Sequence, residues 1–229
     1  MIFDDWRSSM GENFFDVIFY SFYIFEGNYK DFKSTVHKFI KLAGSDEFLD
    51  SQKSIELHIY GGRELARLIH NYAASWLSLV DHTRIIQTKI KSSKLKHLKE
   101  FSLEYEKRLS ESLRDSFENR FIKDLRRYVQ HKAVPVPTLQ YRLAQTEHTQ
   151  SFEFNSKDIQ DFDWYSKVKD YIQNRRTVPI EKIIDQHFKT MKDFYLWVQF
   201  RDQQLHPYSS IEIQQMTFED WKNNISMSD

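Results

Sequence analysis

Ser116-Phe-Glu-Asn-Arg-Phe-Ile-Lys-Asp-Leu-Arg-Arg-Tyr-Val-Gln-His131, followed at once by Lys132-Ala-Val-Pro-Val-Pro137, decides the fold class of this chain. Phe117, Phe121, Leu125 and Tyr128 recur at three- and four-residue steps, so a helix places them on one face. Arg127 and His131 lie four apart, one above the other at the margin of that face, while Arg126 projects to the far side. Pro135 and Pro137 cannot continue a helix and push the residues before them into extended backbone. His131 is therefore expected in or next to the last turn, where exposed carbonyls favour a protonated imidazole. A cationic pair at a helix end suits a phosphodiester, and it suits a solvated edge equally well.

Outward from this helix the pattern stays mostly helical. Ser9 to Phe25 reads as an aromatic-rich helix closed at Gly27-Asn28, and Asp31 to Ala43 as a second one stopped by Gly44. Ser45 to Ser54 reads as a loop or a helix start. Ile55-Glu-Leu-His-Ile-Tyr60 alternates like a strand or leads into a helix, and Gly61-Gly62 predicts a break or kink. Arg63 to about Ile90 is a long amphipathic helix, with Leu65, Leu68, Ile69, Tyr72, Trp76, Leu79, Val80 and Ile86 on one side. Its other side carries Asn71, Asp81 and His82. Lys89 to Lys99 reads as a basic connection. Phe101 to His131 is either one helix or two with a break near Ser110.

After the prolines the period changes to two. Thr138–Leu143 and Ser151–Asn155 alternate apolar and polar across the polar Gln145–Gln150, which predicts a β-hairpin with the prolines at its edge. Ser156 to Gln173 reads as one or two short helices with Ser156 as N-cap. Pro179 opens a helix from Ile180 to about Gln204, closed by Pro207; Ile211-Glu-Ile213 suggests a strand, and Thr217-Phe-Glu-Asp220 a helix start. The expected whole is one mostly α domain over residues 1–229: a helical core at about 63–137, a small β-hairpin at about 138–155 and C-terminal helices over 156–229.

Composition narrows the function. Lys plus Arg and Asp plus Glu are both 33, so the chain is neutral overall, which argues against a protein that coats nucleic acid yet leaves room for a local basic cleft. The absence of cysteine removes disulfides, thiolate metal sites and cysteine nucleophiles, and fits a reducing compartment. No signal peptide is visible, and the apolar run Phe14–Phe25 is too short for a bilayer, so a soluble cytoplasmic protein is expected. All five glycines lie at or before Gly62, excluding a later glycine-rich phosphate loop. No zinc helix or nucleophile elbow occurs, and no metal or cofactor is expected.

Two runs carry a resemblance. Arg126, four residues, then His131 fits the Arg-x(4–6)-His pattern of the HEPN superfamily, and Phe121 to Pro135 looks like the Leu-Arg-Asn-Tyr-x-x-His-x-x-x-Pro segment of HEPN-like bacterial proteins of unassigned role. Upstream, His70-Asn-Tyr-Ala-Ala-Ser-Trp-Leu-Ser-Leu-Val-Asp-His-Thr-Arg84 is similar to their Asn-Tyr-x-x-Ser…Asp-His run. The resemblance spans about Arg63 to Pro137. It implies a HEPN-like helical bundle pairing into a homodimer, with both motifs facing a shared cleft and RNA cut without metal. Arg126 would then hold the phosphate and His131 act as acid or base, with Arg127, Asn71, Asp81 and His82 lining the substrate cleft. Relatives act in stress, toxin–antitoxin or anti-phage roles, so an antitoxin-like partner is part of the expectation. The position after the motif arginine is usually Asn, another small polar residue or His, and here it is Arg127. That change either strengthens phosphate binding, depresses the histidine's pKa, or marks a member without cleavage. Many relatives with this fold are thought to be non-catalytic.

Overall fold

The computed structural model describes residues 14–44, 55, 57–143, 148–205 and 210–226. The expected start of the first helix at Ser9, the Ser45–Ser54 segment, the centre of the hairpin turn and the stop at Pro207 lie outside these residues. The chain divides into two compact units, each assembled from separate stretches. Unit 1 takes residues up to Tyr23, Ser78–Arg114 and Lys189 onward; unit 2 takes Ile24–Leu77 and Asp115–Phe188. No described helix is long and apolar enough to cross a membrane.

The architecture is mostly α with a small antiparallel sheet. Helix α1 spans Phe14–Ala43 without a break, where the sequence suggested two helices parted at Gly27-Asn28. Glycine in a helix interior costs about 1 kcal/mol, whereas Phe25, Phe32 and Val36, on either side of it, are fully buried. Each such side chain is worth about 2 kcal/mol, so burial outweighs the glycine. The Asn28 side chain donates to the Ile24 carbonyl at 2.9 Å rather than capping an end.

A π-helical turn, Leu57–Gly61, leads directly into α2, Gly62–Ser92, so at Leu57–Tyr60 the alternation is a helix lead-in and not a strand. Of the two glycines, Gly62 is there for space. A Cβ on Gly62 would stand 2.8 Å from Val136 Cγ1 and 3.2 Å from the Pro137 carbonyl oxygen. The proline segment thus lies directly against the start of α2. Helix α2 continues past Ile90, and α3, Lys96–Ser112, begins within the stretch expected to be a basic connection. Helix α4, Phe117–His131, is separate from α3, with the break at Leu113–Ser116.

The hairpin forms as expected. Strands β1, Thr138–Leu143, and β2, His148–Asn155, pair antiparallel, with buried Leu139 opposite buried Phe152. A third short strand follows two short helices: α5, Ser156–Ile159, and α6, Ser166–Gln173, precede β3, Thr177–Val178, which pairs with the end of β2. The order β1-β2-β3 leaves β1 at the edge, where its preceding prolines withhold no ladder bond. Glu153 is fully buried on β2 and takes hydrogen bonds from Arg142 Nη2 (2.7 Å) and Ser151 Oγ (2.8 Å). The cap of α5 is Asn155, whose side chain accepts from the Lys157 amide, and not Ser156, whose hydroxyl is buried.

Helix α7 spans Ile180–Leu205. Ile211–Gln215 is helix α8 rather than a strand, capped by Ser210 Oγ, which accepts from the Ile213 amide. The Gln204 side-chain amide donates to the Ile213 and Met216 carbonyls, at 3.2 and 3.1 Å. Helix α9, Phe218–Ser226, starts at Thr217 as expected: Thr217 Oγ1 accepts from the Asp220 amide and donates to its carboxylate. In unit 1, Trp197 stacks on Phe101, and Arg108 lies over both Trp197 and Phe218.

Candidate functional site

Helix α4 is held from both ends and along one face. Ser116 Oγ accepts from the Asn119 amide at 3.3 Å, the N-cap that sets the start. At the other end the Lys132 and Ala133 amides both bond the Tyr128 carbonyl, after which the chain runs extended through the prolines to β1. The apolar face reads as expected: Phe121, Leu125 and Tyr128 are buried and Phe117 is half-buried. The indole of Trp164 stacks on Phe121 and Tyr128 at ring-centroid distances of 5.5 and 5.7 Å. Trp164 Nε1 donates to the Ile159 carbonyl (2.6 Å) and Tyr128 Oη to the Asp158 carbonyl (2.7 Å), which lock the α5–α6 segment onto α4.

The polar side chains of α4 fall into different roles. Arg127 is exposed and engaged: it donates to Asp124 Oδ1 (3.3 Å) and to the Asp163 carbonyl (3.4 Å), and lies 5.4 Å over the Phe162 ring. Asp124 is 5% exposed, and its other oxygen accepts from the Tyr165 amide at 2.6 Å. Arg126 is half-buried, and its Nε is enclosed without a hydrogen-bond partner. His131 is exposed in the last turn, at the place expected for it.

Of the upstream candidates, Asn71 sits half-buried on α2 in unit 2, together with the α4 residues, but no hydrogen bond among the described residues joins it to Arg126, Arg127 or His131. Asp81 and His82 belong to unit 1. Asp81 pairs with Arg84 at 3.1 Å. His82 Nδ1 lies 2.6 Å from Ser21 Oγ, which spends its own hydrogen on the Val17 carbonyl, so the imidazole Nδ1 is the donor. Among the described residues no group of three or more His, Cys, Asp or Glu side chains is placed to hold a metal ion.

Unit 2 also contains a polar cluster that residue spacing did not reveal. His187, 1% exposed on α7, has its Nδ1 2.6 Å from Tyr72 Oη on α2. Burial pushes the His187 pKa down to about 3 and raises that of Tyr72. One turn earlier on α7, Lys33 Nζ of α1 bridges Glu181 (2.5 Å) and Asp185 (2.8 Å), and Tyr29 Oη donates to Asp185. The Tyr29 ring stacks on Phe188 with centroids 3.7 Å apart. Nothing in the spacing marks His187, because the apolar series around it, Ile183, Ile184, Phe188 and Met191, reads as core with or without it.

Compared with known proteins, the chain matches no family model, no curated protein and no solved structure.

Proposed function

We propose that this chain is a metal-independent endoribonuclease of the HEPN type, cytoplasmic, and acting as a homodimer in which two α4 helices face one cleft. The observation that carries the reading is the division of labour on α4. Arg127 is taken up by Asp124, Asp163 and Phe162, whereas the motif arginine Arg126 keeps an enclosed Nε without a partner, and His131 stands exposed at the helix end. Arg126 would neutralise a phosphate oxygen. One imidazole would accept the ribose 2′-hydroxyl proton as that oxygen bonds to phosphorus. The 5′-oxygen leaves and takes a proton from the second imidazole, so the products are a 2′,3′-cyclic phosphate and a 5′-hydroxyl. Arg127, in this reading, braces α4 against the turn before α6, and the departure from the family pattern is structural.

The test is an RNA cleavage assay on the purified chain in the presence of chelator. Cleavage is expected, with His131→Ala and Arg126→Ala each lowering the rate at least about a hundredfold, while circular dichroism is unchanged. A second reading, a dimeric helical scaffold without catalysis, is favoured by the same Arg127 wiring, since a family position that usually carries a small polar residue here serves packing. No cleavage at all decides for that second reading, and chelator-resistant cleavage that survives His131→Ala overturns the role given to His131.

A further inference from the structure

Several buried polar atoms lack partners among the described residues, including both side-chain polar atoms of Gln87 and the hydroxyls of Ser102 and Ser156. Two of the orphans belong to rings in contact: Trp76 Nε1 and His187 Nε2. The rings meet edge-on, with centroids 6.0 Å apart and planes at 69°. Trp76 is 3% exposed and His187 1%. Phe25 and Tyr72 both pack edge-on against the same imidazole. Leaving both groups unsatisfied would impose two desolvation penalties in one place.

The protons can be assigned. Tyr72 Oη is fully buried, and His187 Nδ1 is its only hydrogen-bond partner among the described residues. If Nδ1 carried the proton, the phenol would accept and its own hydrogen would have nowhere to go. The phenol therefore donates to Nδ1, and the neutral imidazole carries its proton on Nε2. Burial keeps this ring neutral, with its pKa near 3. Trp76 Nε1 can only donate. Two N–H donors thus share one aromatic enclosure, and what they require is an acceptor with two lone pairs. An anion would enter where, among the described residues, no charged group acts on His187, at a cost that two neutral donors do not offset. A neutral oxygen fits.

We infer that unit 2 contains a binding site for a single water molecule, held by hydrogen bonds from Trp76 Nε1 and His187 Nε2 and completing a buried Tyr72–His187–water–Trp76 chain between α2 and α7. An oxygen about 3 Å from each nitrogen would meet normal hydrogen-bond lengths, and the rings that carry the two nitrogens are in edge-on contact. The site is independent of the ribonuclease reading.

The experiment uses the full-length chain labelled with nitrogen-15. The imidazole nitrogen shifts of His187 are expected to show the Nε2-protonated neutral tautomer, and both N–H protons are expected to give cross-relaxation peaks to one long-lived water. Trp76→Phe should abolish the water peak at His187. An Nδ1-protonated ring, the absence of water peaks at either N–H, or a His187 peak that persists in Trp76→Phe would overturn the site. Crystals supply a check that needs no variant: one oxygen peak within hydrogen-bond distance of both nitrogens supports it, whereas an anomalous peak there after a bromide soak identifies an anion and overturns the neutral ligand.

Discussion

Asp124 shows how one side chain can set the geometry of its neighbours. Buried on the inner margin of α4, it accepts from the Tyr165 amide with one oxygen and from Arg127 with the other. Removing it strands the Tyr165 amide and takes one of several partners from the exposed Arg127. Asp124→Ala is expected to lower stability by about 2–3 kcal/mol, with Asp124→Asn recovering part because its carbonyl still accepts from the amide. Urea midpoints at constant slope measure both. His187 makes a second prediction, about pH. Its folded pKa, near 3, lies below that of an unfolded histidine, near 6.5, so the unfolded chain binds the proton first as pH falls. The stability present above pH 6.5 is lost progressively between about 6.5 and 3, by at most about 5 kcal/mol. Urea titrations across that window should show the fall. The double variant Tyr72→Phe/His187→Phe, which removes the imidazole without orphaning the phenol, should flatten it.

At the scale of elements, glycines placed in similar sequence surroundings behave oppositely. Gly27 lies within α1, and a Cβ there would meet nothing within 4 Å. Gly27→Ala is therefore expected to stabilise by about 0.5–1 kcal/mol through the smaller entropy of the unfolded chain. Gly62 begins α2, and its Cβ would press on Val136 and on the Pro137 carbonyl. Gly62→Ala should destabilise by about 1–3 kcal/mol, and Val136→Ala in the same chain should recover part of the loss. Thermal melts of the three variants give the signs. The closeness at Gly62 also explains where α4 ends in space: the extended segment after His131 is pressed onto the first turn of α2, so the histidine's helix end is tied to a second helix and does not fray into a loop.

At the scale of the whole chain, neutrality limits how any RNA could be bound. With 33 basic and 33 acidic side chains the chain has no net charge, and Arg127, Lys33 and Arg142 are each paired with carboxylates, so phosphate binding in this reading rests on Arg126 and His131 alone. Binding of a non-cleavable RNA analogue should show a shallow salt dependence, a slope of about −1 to −2 in log affinity against log salt, rather than the steep slope of proteins that neutralise many phosphates. Fluorescence anisotropy over a salt series measures it. A steep slope would mean that a basic track elsewhere on the chain, such as Lys89–Lys99, is engaged.

Much of this molecule was legible in linear order because it depends on local periodicity. The amphipathic stripe of α2, the apolar face and proline stop of α4, the hairpin's period of two and the Thr217 cap all follow from residues within one or two turns of each other, and they appear where the spacing put them. What failed were boundaries settled by burial or by hydrogen bonds from another element. Gly27 does not end a helix, because Phe25, Phe32 and Val36 bury more than the glycine costs. Ile211–Ile213 does not extend, because Ser210 and the distant Gln204 amide satisfy a helical turn. Asp124, His187 and Trp76 gained their roles only when α2, α7 and the turn before α6 brought partners from far along the chain, and no spacing rule encodes that. The chain by itself therefore determined its helical class and the position of Arg126 and His131 on one helix end. Tertiary packing alone decided which polar side chains are buried with a partner, because a hydrogen bond across more than a hundred residues is a property of the folded contact and not of the local sequence.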